Sequence, residues 1–229
     1  MDTIESSLHD FWLACGLSEA AWPEAMAAYE RYWQLIQAAQ IEISLMGNPT
    51  REDFFFKHVA DSLAVLQAWP GLLDGAVTLA DVGCGGGLPG IVLALALPQL
   101  DLTAVDVINK KILFVQSAME QLGLPPRTRT VNRYSRELGY MDEYRGHFDV
   151  VVARAVATAD KLLRDCRLLI RPGGCCLFYK TPPAVEAELP LTQRDAAKHK
   201  LVVDTSPIIH LPGEAGTRQF VRVTAPQTA

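Results

Sequence analysis

The chain has 229 residues, 49% of them hydrophobic and 21% charged, enough for one substantial α/β domain with a small addition. Its formal charge of 21 minus 26, or -5, supplies no bulk basic field, so any contact with nucleic-acid phosphates must come from a local patch. No run of about 18 uncharged apolar residues is present, which argues against a membrane span, and the acidic start Met1-Asp-Thr-Ile-Glu5 lacks the basic opening of a secretory signal. A cytoplasmic protein is the expectation. The five cysteines (Cys15, Cys84, Cys166, Cys175 and Cys176) form neither an even set nor a metal-ligand spacing. Adjacent Cys175 and Cys176 are expected on opposite faces of a strand, as small buried hydrophobes.

Residues 1–68 read as a helical extension. Ile4, Leu8, Phe11, Trp12 and Cys15 fall near one helical face, and Trp22, Met26, Tyr29, Trp33, Ile36 and Gln40 step by fours and threes along a second. Ser18, Glu19 and Pro23 suit the start of that second helix. The aromatic stripe is expected to dock these helices onto the main domain. A break from Ile41 to Arg51 carries Ser44, Gly47, Asn48 and Pro49. Thr50, with Glu52 and Asp53 behind it, suits the N-cap of a further helix. That helix places His58 and Asp61 three residues apart, either as a substrate-facing pair or as a local anchor.

Residues 69–229 read as the main domain. An apolar strand candidate, Val77 to Ala80, leads into Asp81-Val-Gly-Cys-Gly-Gly-Gly-Leu-Pro-Gly90, and an apolar helix is expected over Leu88 to Leu97. Strand, glycine turn and helix N-terminus make a cradle for a nucleotide-like ligand, because the missing Cβ atoms let the backbone approach it closely. The glycines Gly83, Gly85 and Gly87, with Cys84 among them and Asp81 just upstream, take the Gly-x-Gly-x-Gly form. This form is similar to the first motif of S-adenosylmethionine-dependent methyltransferases rather than to the Gly-x-Gly-x-x-Gly of dinucleotide sites. Leu102 to Asp106 is a second strand whose terminal carboxylate can accept hydrogen bonds from both hydroxyls of a ribose.

Asn109 is expected to cap a helix over Lys110 to Leu122, which Gly123 and Pro125-Pro126 end. Arg127 to Val131 reads as the third strand, and Arg133, Ser135 and Arg136 in the loop beyond it are candidates for the edge of an adenine ring. Phe148 to Ala153 is continuously apolar, as a strand covered on both faces should be, and Arg154 stands at its C-terminal end. Ligand sites in open α/β sheets lie beyond these strand ends, which favours Arg154 as a functional residue over a salt bridge at the rim. A helix over Ala157 to Ile170, a turn at Pro172-Gly173-Gly174 and a strand from Cys175 to Tyr179 follow, with Lys180 ending that strand as Arg154 ends the one before. The two cations are candidates to flank one crevice. Pro182 to Pro190 suggests a short acidic helix, Leu201 to Val203 a strand, and Ile208 to Leu211 with Gln219 to Val223 a hairpin.

Four stretches together carry a family resemblance: Asp81 to Ile91, Lys57-His58-Val-Ala-Asp61-Ser62, Phe148-Asp-Val-Val-Val-Ala-Arg154-Ala155 and Arg218-Gln-Phe-Val221. From about residue 25 the chain resembles the bacterial 16S ribosomal RNA guanine-N7 methyltransferases, also called the glucose-inhibited division protein B family, and Leu88-Pro89-Gly90-Ile91 is the most specific part. The resemblance implies a Rossmann-like class I methyltransferase fold, a mostly parallel seven-stranded sheet flanked by helices, with residues 1–68 as a substrate-side cap. It implies S-adenosylmethionine as cofactor, held by Asp81, Gly83, Cys84, Gly85, Gly87, Asp106, Arg133, Ser135, Arg136 and Arg154. His58, Asp61, Arg154 and Lys180 match its substrate-side polar residues, and 16S ribosomal RNA or the small ribosomal subunit is the implied partner. Guanine N7 has an available lone pair, so alignment with the methyl group and exclusion of water suffice, with neither metal nor base.

Two other classes stay open on the sequence. One is an N-methyltransferase acting on a small heteroaromatic metabolite, which would suit the acidic charge and two departures from the family pattern, Glu42-Ile-Ser44-Leu45 before the His58 helix and Thr181 after Lys180. The other is a nucleotide-binding or interaction module without catalysis.

Overall fold

The structure is a computed structural model that describes residues 3–47 and 49–227; Met1, Asp2 and Asn48 of the sequence reading lie outside the described residues. Helices α1 (Thr3–Ala14) and α2 (Trp22–Gln40) come first, joined through a single 3-10 turn at Glu19–Ala21. The next helical rod combines α3 (Arg51–Asp53), a π-helical stretch Phe54–Ala60 and α4 (Asp61–Ala68), with right-handed helical backbone at both junctions. Thr50 caps it as expected: its Oγ1 accepts the Asp53 amide at 3.1 Å and its own amide reaches Asp53 Oδ2 at 3.4 Å.

The sheet then alternates with helices: β1 (Thr78–Val82), α5 (Gly90–Ala96), β2 (Asp101–Asp106), α6 (Asn109–Gln121), β3 (Arg129–Asn132), α7 (Ser135–Leu138), β4 (Phe148–Arg154), α8 (Ala159–Cys166), β5 (Ile170–Lys180), α9 (Pro182–Ala197), β6 (Val202–Thr205), β7 (Ile209–His210) and β8 (Thr217–Thr224). Strand order is β3-β2-β1-β4-β5-β8-β6, with β7 pairing β8 off that path. The first five strands pair in parallel, and β8 runs antiparallel between β5 and β6. The mostly parallel sheet flanked by helices is borne out, with the two-residue β7 as an eighth strand.

Successive residues of each strand enter opposite cores, as a period of two requires. Leu79, Leu102, Ala104, Val150, Val152, Leu177 and Tyr179 join one cluster with Trp12, Tyr29, Tyr32, Phe54 and Phe55 from the N-terminal helices. Ala80, Val82, Val105, Val151, Ala153, Cys176 and Phe178 join the other, with residues of α8 and α9. Cys175 and Cys176 separate between the two clusters as expected.

Four local expectations are corrected. The Pro172-Gly173-Gly174 segment is part of β5, because Gly174 O accepts the Ala225 amide at 2.9 Å and the Gly173 amide reaches Pro226 O at 3.3 Å, tying the stretch into the sheet across a register shift. Helix α9 runs through Pro190, which lies on its exposed side, and continues to Ala197. Asn109 is the first residue of α6 instead of its cap, and the preceding Ile108 amide is taken by Asp106 Oδ1 at 2.8 Å. Tyr32, outside the sequence stripe, is fully buried, whereas Trp33 is only partly so.

Candidate functional site

The glycine loop leaves β1 at Val82 and turns beneath the neighbouring strand, where the amides of Gly83 and Cys84 both reach Val105 O, at 2.8 and 3.0 Å. Gly83 has φ +72° and a Cβ built there would lie 2.4 Å from Val156 Cγ2, so only glycine fits the place where the loop beyond β4 lies against it. Gly87, at φ +96°, has a Cβ position 2.5 Å from Ile91 Cδ1 and 2.9 Å from the Tyr32 hydroxyl. That hydroxyl donates to Gly86 O, so helix α2 fixes the loop directly. Cys84 is buried within the turn, and burial pushes its thiol well above the usual range, which leaves it a packing residue and no nucleophile.

The two loop carboxylates divide their work. Asp106 accepts the Gly85 amide on Oδ2 at 2.9 Å and the Ile108 amide on Oδ1 at 2.8 Å, while its carbonyl accepts from Asn132 Nδ2 at 2.9 Å. Asp81 is 0% exposed; its Oδ2 accepts the Gly90 amide at 2.8 Å, and its Oδ1 is buried with no hydrogen-bond partner. Burial pushes the Asp81 carboxyl up to about 7, against the opposing effects of the Gly90 amide and the Arg154 charge. A buried carboxylate oxygen without a partner, beneath a loop of glycines, is a place for a cationic group of a ligand.

Beside it, at the C-terminal end of β4, Arg154 joins a buried polar cluster. Its Nη1 donates to Asp61 Oδ2 at 3.0 Å, and its Nη2 lies 3.4 Å from His58 Nδ1. Arg218 of β8 holds the same carboxylate through Nε to Oδ1 and through Nη2 to Oδ2 at 3.0 Å. The Asp61 side chain is 3% exposed and Arg154's 11%, so the pair is screened from water. His58 and Asp61 thus act with a partner distant in sequence, at the π-helical junction that carries both. Burial and the Arg154 charge lower His58 to about 4, so the ring is neutral near pH 7, and its Nδ1 lone pair faces the guanidinium. Ser62 Oγ donates to His58 O at 2.6 Å, and the Tyr179 hydroxyl of β5 donates to Ser62 O at 2.9 Å, locking this junction onto the sheet.

Lys180 leaves β5 on the opposite face. Its Nζ donates to Ala157 O at 2.6 Å and pairs with Glu188 Oε2 at 2.8 Å, so it does not share a crevice wall with Arg154. Arg133 and Arg136 are exposed at the C-terminal edge of β3, Ser135 is half-buried, and the Arg136 guanidinium lies 5.4 Å from the centre of the Tyr134 ring. The structure therefore gathers Asp81, Gly83, Cys84, Gly85, Gly87 and Asp106 around one turn and His58, Asp61 and Arg154 around one carboxylate, with Lys180 on a separate set of contacts.

The family model described as "rRNA small subunit methyltransferase G" matches residues 25–219, which include both the glycine loop and the Asp61 cluster. The chain belongs to this family. Relatives named ribosomal RNA small subunit methyltransferase G are 34% identical over 203 residues in Limosilactobacillus fermentum, covering 88% of this chain and 78% of that protein, and 31% identical over 218 residues in Carboxydothermus hydrogenoformans, covering 95% and 90%. An O-methyltransferase from Bacillus cereus, solved in complex with SAH, superposes with a TM-score of 0.59 over 87% of this chain and 90% of its own at 16% identity, which shows the class I methyltransferase fold. The protein is accordingly a methyltransferase.

Within this rRNA small subunit methyltransferase G family member, three side chains of the site escaped the sequence reading of roles. Tyr32 sits three residues from Tyr29 and four from Ile36, so the helical period contained it. Arg218 lay inside a quoted family motif but had no role attached. Glu188 carried no signal, because its partners Ala159 and Lys180 meet it only in the folded chain.

Proposed function

We propose that this protein transfers a methyl group from S-adenosylmethionine to N7 of a guanine in 16S ribosomal RNA, acting on the small ribosomal subunit in the cytoplasm. What supports this reading above all is the family membership, because the matched span includes both halves of the site. The local chemistry fits the cofactor: an unpartnered Asp81 oxygen suits its ammonium group, Asp106 has lone pairs left for ribose hydroxyls, and Gly85, whose Cβ position has no atom nearer than 4.0 Å, leaves its backbone open to close approach. When bound, S-adenosylmethionine supplies the electrophilic methyl, and guanine N7 offers a lone pair that needs no deprotonation.

The protein's own residues then bind, orient and exclude water. Arg154, oriented by Asp61 and flanked by neutral His58, presents donors at a strand end, where guanine O6 or a phosphate is an acceptor of the right kind. Asp61 serves as the brace for two guanidiniums and not as a base, since both of its oxygens are occupied by arginine donors. Arg133, Ser135 and Arg136, in the loop beyond β3, are the residues this reading assigns to the edge of the adenine ring. Residues 1–68 act as the substrate-side cap on the domain formed by 69–229, because His58 and Asp61 reach the site from them.

The test is methyl transfer from labelled S-adenosylmethionine to small ribosomal subunits lacking the modification. Label at one guanine N7, lost in Arg154→Ala with cofactor binding retained, is the expected result. Label only in a heteroaromatic metabolite fraction offered in parallel would overturn the ribosomal assignment.

A further inference from the structure

We infer that Glu188 is a positioning residue for the methyl-transfer site, acting through Lys180 and the Ala159 amide on the loop between β4 and α8. This inference rests on the cofactor reading above and adds to it a control from the opposite face of the sheet. The loop leaves Arg154 through Ala155, an alanine at φ +57°, in the left-handed region that L side chains rarely adopt. Val156 follows, and its Cγ2 lies 2.4 Å from where a Cβ of Gly83 would stand, so this valine walls the first glycine of the cofactor loop. Val156 is 47% exposed, so it is not fixed by burial in the core.

What fixes the loop comes from behind it. Lys180 Nζ donates to Ala157 O at 2.6 Å, and Glu188 Oε2 takes both Lys180 Nζ at 2.8 Å and the Ala159 amide at 2.7 Å. Thr158, at the N-cap of α8, makes no side-chain capping bond, and the carboxylate from α9 takes the amide of Ala159, the first helical residue and one of the donors that a helix start leaves open. The side chains of Lys180 and Glu188 are 10% and 17% exposed, a screened pair in which each charge neutralises the other. Lys180 therefore has its charge and its reach engaged by the protein. Its effect on methyl transfer passes through Ala157, Val156 and Gly83 to the cofactor.

The test measures S-adenosylmethionine affinity by calorimetry, together with kcat and KM for small ribosomal subunits, in Glu188→Ala, Glu188→Gln, Lys180→Met and the Glu188→Ala/Lys180→Met double variant. Each of Glu188→Ala and Lys180→Met should weaken cofactor binding about tenfold with the subunit KM held within about twofold, and the double variant should be no weaker than either alone. Glu188→Gln keeps an oxygen for the amide and the ammonium and should recover most of the loss. Should Glu188→Ala not fold, Lys180→Met leaves Glu188 on the Ala159 amide and reads the same shift. The inference is overturned if Lys180→Met abolishes transfer or raises the subunit KM while cofactor affinity stays that of the parent, because Lys180 would then touch substrate. It is equally overturned if Glu188→Ala lowers only the melting temperature. Failure of the parent protein to bind S-adenosylmethionine would instead count against the cofactor reading itself.

Discussion

Asp81 and Asp61 are both buried carboxylates, and they differ in what surrounds them. Asp61 has two guanidiniums on its two oxygens, whereas Asp81 has one amide and one oxygen without a partner. The raised Asp81 value means that the folded chain holds this proton more tightly than the unfolded chain, whose carboxyl titrates near the ordinary 3.8. Its contribution to stability is thus fully present below that value and is lost as pH rises through about 7. Asp81→Asn removes this penalty, so urea unfolding at pH 8 should show a ligand-free variant more stable than the parent, with the gap closing at pH 4. The same substitution should weaken S-adenosylmethionine binding about tenfold at pH 8, and parent affinity should itself fall by up to about tenfold per unit below pH 7, as the carboxylate takes up its proton. Asp61→Ala behaves in the opposite way. It leaves two largely screened guanidiniums, 11% and 19% exposed, without their counter-ion and should destabilise the protein by about 3 kcal/mol, read as a lower urea midpoint.

At the scale of elements, the site depends on how helices meet strand ends. Helix α2 reaches the glycine loop through Tyr32, so Tyr32→Phe, which retains the ring and deletes the bond to Gly86 O, should lose about 1 kcal/mol of stability and raise the KM for S-adenosylmethionine with little change in kcat. Much of this level was legible in the chain. The glycine spacing with Asp81 and Asp106 located the turn that both carboxylates hold, the apolar run to Arg154 located the central strand, and Thr50 with Asp53 marked a cap that the structure contains. Less legible were features set by contacts between distant segments. Pro172-Gly173-Gly174 has the composition of a turn, yet its backbone groups find partners in residues 225 and 226. Pro190 reads as a helix end, but on an exposed face the helix runs on. Lys180 and Arg154 end adjacent strands in sequence logic, but Arg154 pairs with Tyr179 in register, which sends Lys180 to the other face.

For the whole molecule, the N-terminal helices and one face of the sheet form a single cluster, with Trp12, Tyr29, Tyr32, Phe54 and Phe55 all under 2% exposed. The helices and the sheet should therefore unfold together. Trp12→Ala, remote from the site, should lower stability by about 3–5 kcal/mol while leaving one cooperative transition by circular dichroism and tryptophan fluorescence alike. Among the described residues no helix is long and apolar enough to cross a membrane. The acidic charge of -5 leaves attraction to ribosomal RNA to local cations, so the KM for subunits should rise with salt through those residues and not through bulk charge. The most direct measurement is the position of a labelled methyl group after incubation of the protein, S-adenosylmethionine and small ribosomal subunits that lack the modification. Label at a single guanine N7 of the 16S RNA, abolished in Arg154→Ala while that variant still binds S-adenosylmethionine, is the predicted result; a folded protein that binds S-adenosylmethionine yet leaves the ribosomal RNA unlabelled would contradict it.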